Sequence, residues 1–502
     1  MPENPNFLHG AYGVVNTEAL PDSSRGKSRQ AFVYIGTAPV GQIAGGDKNV
    51  NKPALVNNMA EARRLFGYSD DWAKYTLCEA MHAHFDLKGV GPLVLINVLD
   101  PAVNKDADAT TVSLTPANGR LTVAGAEDII LDTLTITKGE STVLVAGTDY
   151  TAAYDYARKA IIATEITGGA GFGTSALSVS YKKATPDTVT ASQVIGTSDG
   201  YGVNTGIQAV RDVYNLTGHI PAYLLAPGFS SVPSVHAALS QNSQKIAKHW
   251  NAWIFADIPV MDNTTPITLA TAPAWKQNNG YNLPNESVFF PLGKGTDGNV
   301  YHLSVLAAAN FQELLIRNSG IPYMTYSNTE AAILEDLYFT ASTPAAVYTD
   351  DIITSCLNSN GINSAAYAGG RWVLWGMFPG NYSDSDEALS NNFDTCLMML
   401  YYLTNDFQHR RTVDVDKPMA VNALKSIVAE EQARVDALLG IGALTYGKVT
   451  LDATREARSD VYKGDFRILY NITTMPLAKS LTAVANWTDE GFELYFTAME
   501  NV

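Results

Sequence analysis

Two short runs without polar positions constrain this chain most: AFVYIG at 31–36 and PLVLINVL at 92–99. Side chains alternate across a strand, so a strand that is apolar throughout must be covered on both faces. That is the condition of a parallel sheet held between helices. The residues between the two runs agree. Leu77, Met81 and Phe85 recur at i, i+4 and i+8, which predicts an amphipathic helix over 74–87. Strand, helix and strand make a parallel α/β unit.

The same texture returns after residue 190. PAYLLAPG at 221–228 and AWIFADIPV at 252–260 read as strands. A helix is expected over 231–250, with Val235, Leu239, Ile246 and Trp250 facing inward, and others over 299–318 and 384–405. The clearest covers 420–439. Val421, Leu424, Val428, Val435 and Leu438 form its stripe, Lys425, Glu430, Glu431, Gln432 and Arg434 lie mostly elsewhere, and Gly440 is expected to stop it. Between these α/β segments, residues 102–188 change character. Short alternating runs (TVSLTP, RLTVAG, LTITKG, STVLVAG, KAIIAT, ALSVSY) are separated by turns such as ANGR and TGGAGFG. That spacing predicts a small antiparallel sandwich or barrel, inserted into the α/β part.

Both ends read differently again. Residues 1–29 are dominated by Pro, Asn and Ser and read as an extended arm and linker, with one strand-like patch at Tyr12, Val14 and Val15. Near the other end DFRILYNIT (465–473) and GFELYFT (491–497) alternate like strands. Phe466, Ile468, Tyr470 and Ile472 share one face; Arg467, Leu469, Asn471 and Thr473 share the other. These ends look like strand edges that want partners.

Bulk properties narrow the function. A chain of 502 residues accommodates about three domains. Fifty acidic against 34 basic residues give a net charge of -16, which disfavours nucleic acid or an anionic membrane as partner. No apolar run nears the roughly 18 residues of a membrane helix, and MPENPNFLHG lacks the features of a signal peptide, so synthesis in a cytoplasm is expected. Cys78, Cys356 and Cys396 are expected to be reduced and to pack as small apolar groups.

No catalytic constellation assembles from the residues. The loop after Gly36 lacks the Gly-Lys-Ser/Thr of a phosphate-binding loop and the glycine spacing of a dinucleotide site, so a structural strand exit is expected. His82 and His84 stand i, i+2 on a helix and cannot share one metal; they read as surface histidines. Asp257, at a strand end, reads as a structural cap, and Trp372 and Trp375 as packing residues. Asp149 alone makes a poor calcium turn. Cofactors, metals and catalytic residues are accordingly expected to be none.

The chain resembles the tail sheath proteins of contractile bacteriophage tails and related contractile injection particles. The resemblance is carried, in order, by HGAYGVVNTEA, AFVYIGTAPVGQ, KPALVNNMAEARRLFG, GPLVLINVLD, PAYLLAPGFSS, IFADIP, LNSNGINSAAYAGGRWVLWG, GALTYGKVTLD and GDFRILYNITTMPLAKSLTAV. It implies an α/β (α+β) multidomain subunit: an arm at 1–29, an α/β core at 30–101 plus 189–410, an outward-facing β domain at 102–188, and a C-terminal domain at 411–502. It implies a structural role without enzymatic activity, in sixfold rings stacked around an inner tube, contracting from a metastable extended state to drive the tube through a target envelope. The partners implied are further copies of the chain, the tail tube protein, and baseplate and terminator proteins, with no nucleic acid and no membrane insertion. The location implied is the tail of a virion or tailocin-like particle, assembled in a bacterial cytoplasm. The arm's Tyr12, Val14 and Val15 are expected to pair in trans with Phe466, Ile468, Leu469, Tyr470, Asn471 and Ile472, with the ladder passing through Leu469 and Asn471. The reading from a different class is a secreted carbohydrate-binding or carbohydrate-active protein, with the β insertion and the tryptophans on glycan.

Overall fold

A computed structural model describes residues 30–46, 48–340, 348–383, 392–452, 454 and 461–500. The inter-subunit residues expected on the arm, Tyr12, Val14 and Val15, lie outside the described residues. The chain forms two compact units, Met1–Pro418 and Met419–Val502.

The first unit opens with β1 (Gln30–Gly36), β2 (Ala54–Val56), α1 (Met59–Phe66), α2 (Thr76–Met81) and β3 (Leu93–Asn97). Seven strands follow: β4 (Thr110–Leu114), β5 (Arg120–Ala124), β6 (Thr135–Lys138), β7 (Thr142–Leu144), β8 (Tyr150–Asp155), β9 (Ala160–Glu165) and β10 (Leu177–Tyr181). The α/β part resumes with α3 (Ala191–Ile195), α4 (Val213–Thr217), β11 (Ile220–Leu225), α5 (Pro233–Gln241) and β12 (Trp253–Asp257). A hairpin of β13 (Met261–Asp262) and β14 (Thr265–Pro266) leads to α6 (Ala272–Asn278) and β15 (Glu286–Phe289).

One six-stranded sheet, in the order β15-β12-β11-β1-β3-β2, holds the core. It is parallel except at β2, which runs antiparallel to β3. β3, β11 and β12 are buried along their whole length, as strands apolar on both faces require. Phe32 of β1 stacks on Tyr223 of β11 with ring centroids 4.5 Å apart. The inserted strands form two antiparallel sheets, β4-β10-β6-β7 and β5-β9-β8, around a cluster that includes Leu121, Ile136, Tyr150, Phe172 and Val179. Chain entry and exit are adjacent, since the Thr185 N–H donates to the Asn104 carbonyl over 3.0 Å.

The rest of this unit comprises β16 (Leu292–Gly295), β17 (Val300–His302), α7 (Leu303–Arg317), β18 (Leu334–Tyr338), α8 (Asp350–Cys356), the hairpin β19 (Ser364–Ala368) and β20 (Arg371–Trp375), and α9 (Asp394–Arg411). The second unit contains α10 (Val421–Gly440), β21 (Leu444–Leu451), β22 (Ile468–Thr474) and α11 (Glu490–Glu500).

Several elements differ from expectation. The helix predicted over 231–250 ends at Gln241. Asn242 and Ser243 turn their side chains back onto the carbonyls of Ala238 and Ser240, competing with continued helix. Ile246 and Trp250 are nevertheless buried, because a tight turn with positive φ at Lys245, Ala247 and Lys248 brings them together. The helix over 74–87 becomes π-helical from His82 to Leu87. On α10 only Glu431, Val435 and Leu438 are buried and Val421 is exposed, so a glutamate sits where only apolar residues were expected. Gly440 lies inside that helix, and the left-handed residue that follows its end is Gly442. GFELYFT is helical, not extended: Phe492, Phe496 and Met499 also satisfy a helical period.

Candidate assembly interface

Each expected chemical site resolves into a packing device. Gly36 leaves β1 where the chain approaches α2. A Cβ there would stand 2.3 Å from the Thr76 hydroxyl, and the Leu77 N–H donates to the Thr37 carbonyl over 3.0 Å. The tight exit therefore stitches strand to helix. His84 corrects the surface reading: it is buried in the core, where Tyr34 and Gln312 flank its ring at 2.6 and 2.5 Å. The Gln312 carbonyl can only accept, so Nδ1–H donates to it and Nε2 accepts from the Tyr34 hydroxyl. The ring is thus held neutral, and burial lowers its pKa to about 4.

Asp257 caps a helix in space. Its carboxylate accepts the Ser304 N–H at 3.2 Å and the Ser304 hydroxyl at 2.5 Å, at the start of α7. Burial raises its pKa, against the opposing influence of His302 and Ser304. His302 pairs with Glu79 through Nδ1 at 2.7 Å. Burial works against its protonation, but the Glu79 and Asp257 carboxylates outweigh it and lift the pKa to about 9. Trp372 and Trp375 are half-buried, with their ring N–H groups donating to the Glu335 carbonyl and the Thr354 hydroxyl. Asp149 accepts the Val145 and Ala170 N–H groups and so closes a turn. Cys78 and Cys396 are buried and Cys356 half-buried, all three as free thiols. Among the described residues no group of three or more His, Cys, Asp or Glu could hold a metal ion, and no helix is long and apolar enough to cross a membrane.

The second unit offers a different kind of site. β21 and β22 form a sheet of only two strands, antiparallel, with Val449 opposite Tyr470 and Gly447 opposite Ile472. Such a pair is marginal by itself and needs covering or further strands. α10 covers one face. Gly447 permits the close approach, since a Cβ there would lie 2.1 Å from a Val435 methyl, and the Tyr470 hydroxyl donates to the buried Glu431 at 2.8 Å. The other face carries Leu469, Asn471 and Thr473, all exposed. The alternation expected for this strand is present, but the strand starts at Ile468, so Phe466 lies just before it.

The register corrects one expectation. The Asp452 N–H donates to the Arg467 carbonyl at 2.9 Å, which makes that facing pair a hydrogen-bonded one. Alternation then turns the backbone groups of Leu469 and Asn471 inward, to β21, and those of Ile468 and Ile472 toward the outer edge. Sequence alternation separates faces. It does not tell which alternate residues bond to which neighbour, and that is why the ladder was placed on Leu469 and Asn471. Gln432 was read only as an outward polar residue. Its side chain lies at the outer edge of β21, donating to the Gly447 carbonyl at 3.2 Å and accepting the Val449 N–H at 2.7 Å. No signal in the sequence marked that contact.

No family model matches the chain. A curated relative, the tail sheath protein of Burkholderia phage BcepMu, is 27% identical over 505 residues, spanning 97% of this chain and 98% of the relative. The chain belongs to the tail sheath proteins. Solved structures share the fold at low identity. The contracted helical sheath of the anti-feeding prophage aligns with a TM-score of 0.52 at 12% identity, over 96% of this chain and all of that one. The contracted sheath complex of an extracellular contractile injection system, PVC, gives 0.52 at 11%, over 97% of this chain and all of that one. A chain in the six-fold symmetrised baseplate of the anti-feeding prophage gives 0.54 at 12%, over 96% and 100%. The function is that of a structural subunit of a contractile tail sheath, and nothing supports the carbohydrate reading.

Proposed function

We propose that copies of this chain polymerise as stacked rings around an inner tube and contract from a metastable extended state, driving the tube through a target envelope. One observation carries the reading: the C-terminal unit is an incomplete sheet with an apolar surface left in water. Beyond the exposed Leu469, the segment after β22 leaves Leu481, Val484 and Trp487 at 77–90% exposure, and α11 exposes Phe492, Leu494, Tyr495 and Phe496. Apolar surface of this extent marks an interaction site. In this reading Tyr12, Val14 and Val15 of one copy add as a strand beside β22 of another, with the joint at Phe466, Ile468, Leu469, Tyr470, Asn471 and Ile472. Tube, baseplate and terminator proteins complete the particle, the β insertion faces outward, and the subunit is not an enzyme. Contraction draws on the difference in packing between two assembled states, so no nucleotide is consumed.

Electron microscopy of the purified chain tests it: tubes or rings are expected, and discrete monomers at every concentration would reject it. Removal of residues 1–27 is expected to leave thermal melting unchanged while abolishing extended tubes. Normal tubes from the shortened chain would reject strand exchange through the arm.

A further inference from the structure

The outer edge of β21 is occupied by a side chain. Gln432 stands on α10, and its carboxamide takes the Gly447 carbonyl and the Val449 N–H together. Those are the two groups that one residue of a parallel neighbouring strand would take. An edge strand with both groups exposed templates the addition of another chain. A helix residue that supplies one amide in the same geometry closes that template at little cost, because both hydrogen bonds are replaced, not lost.

We infer that the β21 edge is a second strand-docking surface, masked in the isolated subunit by Gln432, and that its occupant is an extended segment of a second copy of this chain. The inference rests on the strand-exchange reading above. The occupant follows from continuity: β21 and β22 are one hairpin, and a segment able to lengthen the sheet beside β22 meets the same backbone chemistry beside β21. With Gln432 in place, growth is confined to the β22 side until the glutamine swings away. Gln432 is thus a placeholder that keeps unassembled subunits from adding strands on both sides at once.

The test uses the full chain. Gln432→Met keeps the stem and removes the amide; Gln432→Asn keeps an amide too short to reach and serves if the first variant folds poorly. Either is expected to lower the concentration at which the purified chain associates by roughly tenfold, the scale of one or two hydrogen bonds, and to speed hydrogen exchange at the Val449 amide. A second substitution decides the cause. The Val449 N–H is directed away from β22, so Val449→Pro removes the docking donor without touching the β21–β22 ladder, and proline is tolerated at such edges. Gln432→Met with Val449→Pro is expected to associate like wild type. Association of the single variants at the wild-type concentration would overturn the inference, as would a double variant that associates as readily as the single one. Absence of tubes from the wild-type chain would instead overturn the sheath assembly reading, and the comparison of variants would still be read from sedimentation.

Discussion

Single residues in this chain owe their ionisation to burial, and His84 shows the consequence. Its folded pKa is about 4, whereas a histidine in the unfolded chain titrates near 6.5. As pH falls from about 6.5 to about 4 the unfolded state takes up a proton that the folded state does not, so stability falls with pH across that window. The loss is expected to be on the order of 1–3 kcal/mol. Denaturant unfolding of wild type and His84→Gln at a series of pH values checks it. The wild type is expected to fall more steeply between pH 6.5 and 4, and parallel curves would show that another group controls acid stability. His302 has the opposite sign. Its raised pKa contributes stability that is present below about 6.5 and fades as pH rises through about 9.

At the scale of elements, the register of β22 separates assembly from folding. Ile468 and Ile472 turn their backbone groups to the outer edge, whereas Leu469 and Asn471 turn theirs to β21. Proline removes a ladder donor. Ile468→Pro or Ile472→Pro is therefore expected to block tube formation with the circular dichroism melt shifted by only a few degrees. Leu469→Pro, which breaks the internal ladder, is expected to unfold the C-terminal unit itself. Sedimentation with the melts distinguishes them. Normal tubes from both isoleucine variants would mean that no neighbouring strand docks on this edge.

For the whole molecule, the β insertion raises the question of independence. It has its own apolar cluster, and its ends meet at Asn104 and Thr185. It is also bound to the α/β part: Tyr75 donates to Asp128 at 2.8 Å, Tyr156 to the Arg63 carbonyl at 3.0 Å, and Lys159 pairs with Asp70 at 2.9 Å. Replacement of 102–188 by a short Gly/Ser bridge is expected to leave a soluble chain that still forms tubes, with a lower melting temperature because these contacts go. Aggregation of the shortened chain would show that the insertion is part of the core. Electron microscopy and a thermal melt suffice.

What the sequence determined by itself follows from local periodicity. Runs apolar on both faces could only be central parallel strands, so β1, β3, β11 and β12 were legible, as were α7, α10 and the alternating strands of the insertion. Asp257 was legible as a cap, because acids at strand ends meet helix N-termini in this architecture. Tertiary structure decided whatever depends on contact across long separations. It buried His84, 228 residues from its partner Gln312. It drew Glu431 beneath Tyr470, ended α5 at Gln241 and kept the 491–497 segment helical. It also settled which alternate residues of β22 face the open edge and placed Gln432 on β21. Hydrogen-bonding direction along a strand depends on the neighbour it pairs with, and no pattern within one strand contains that information.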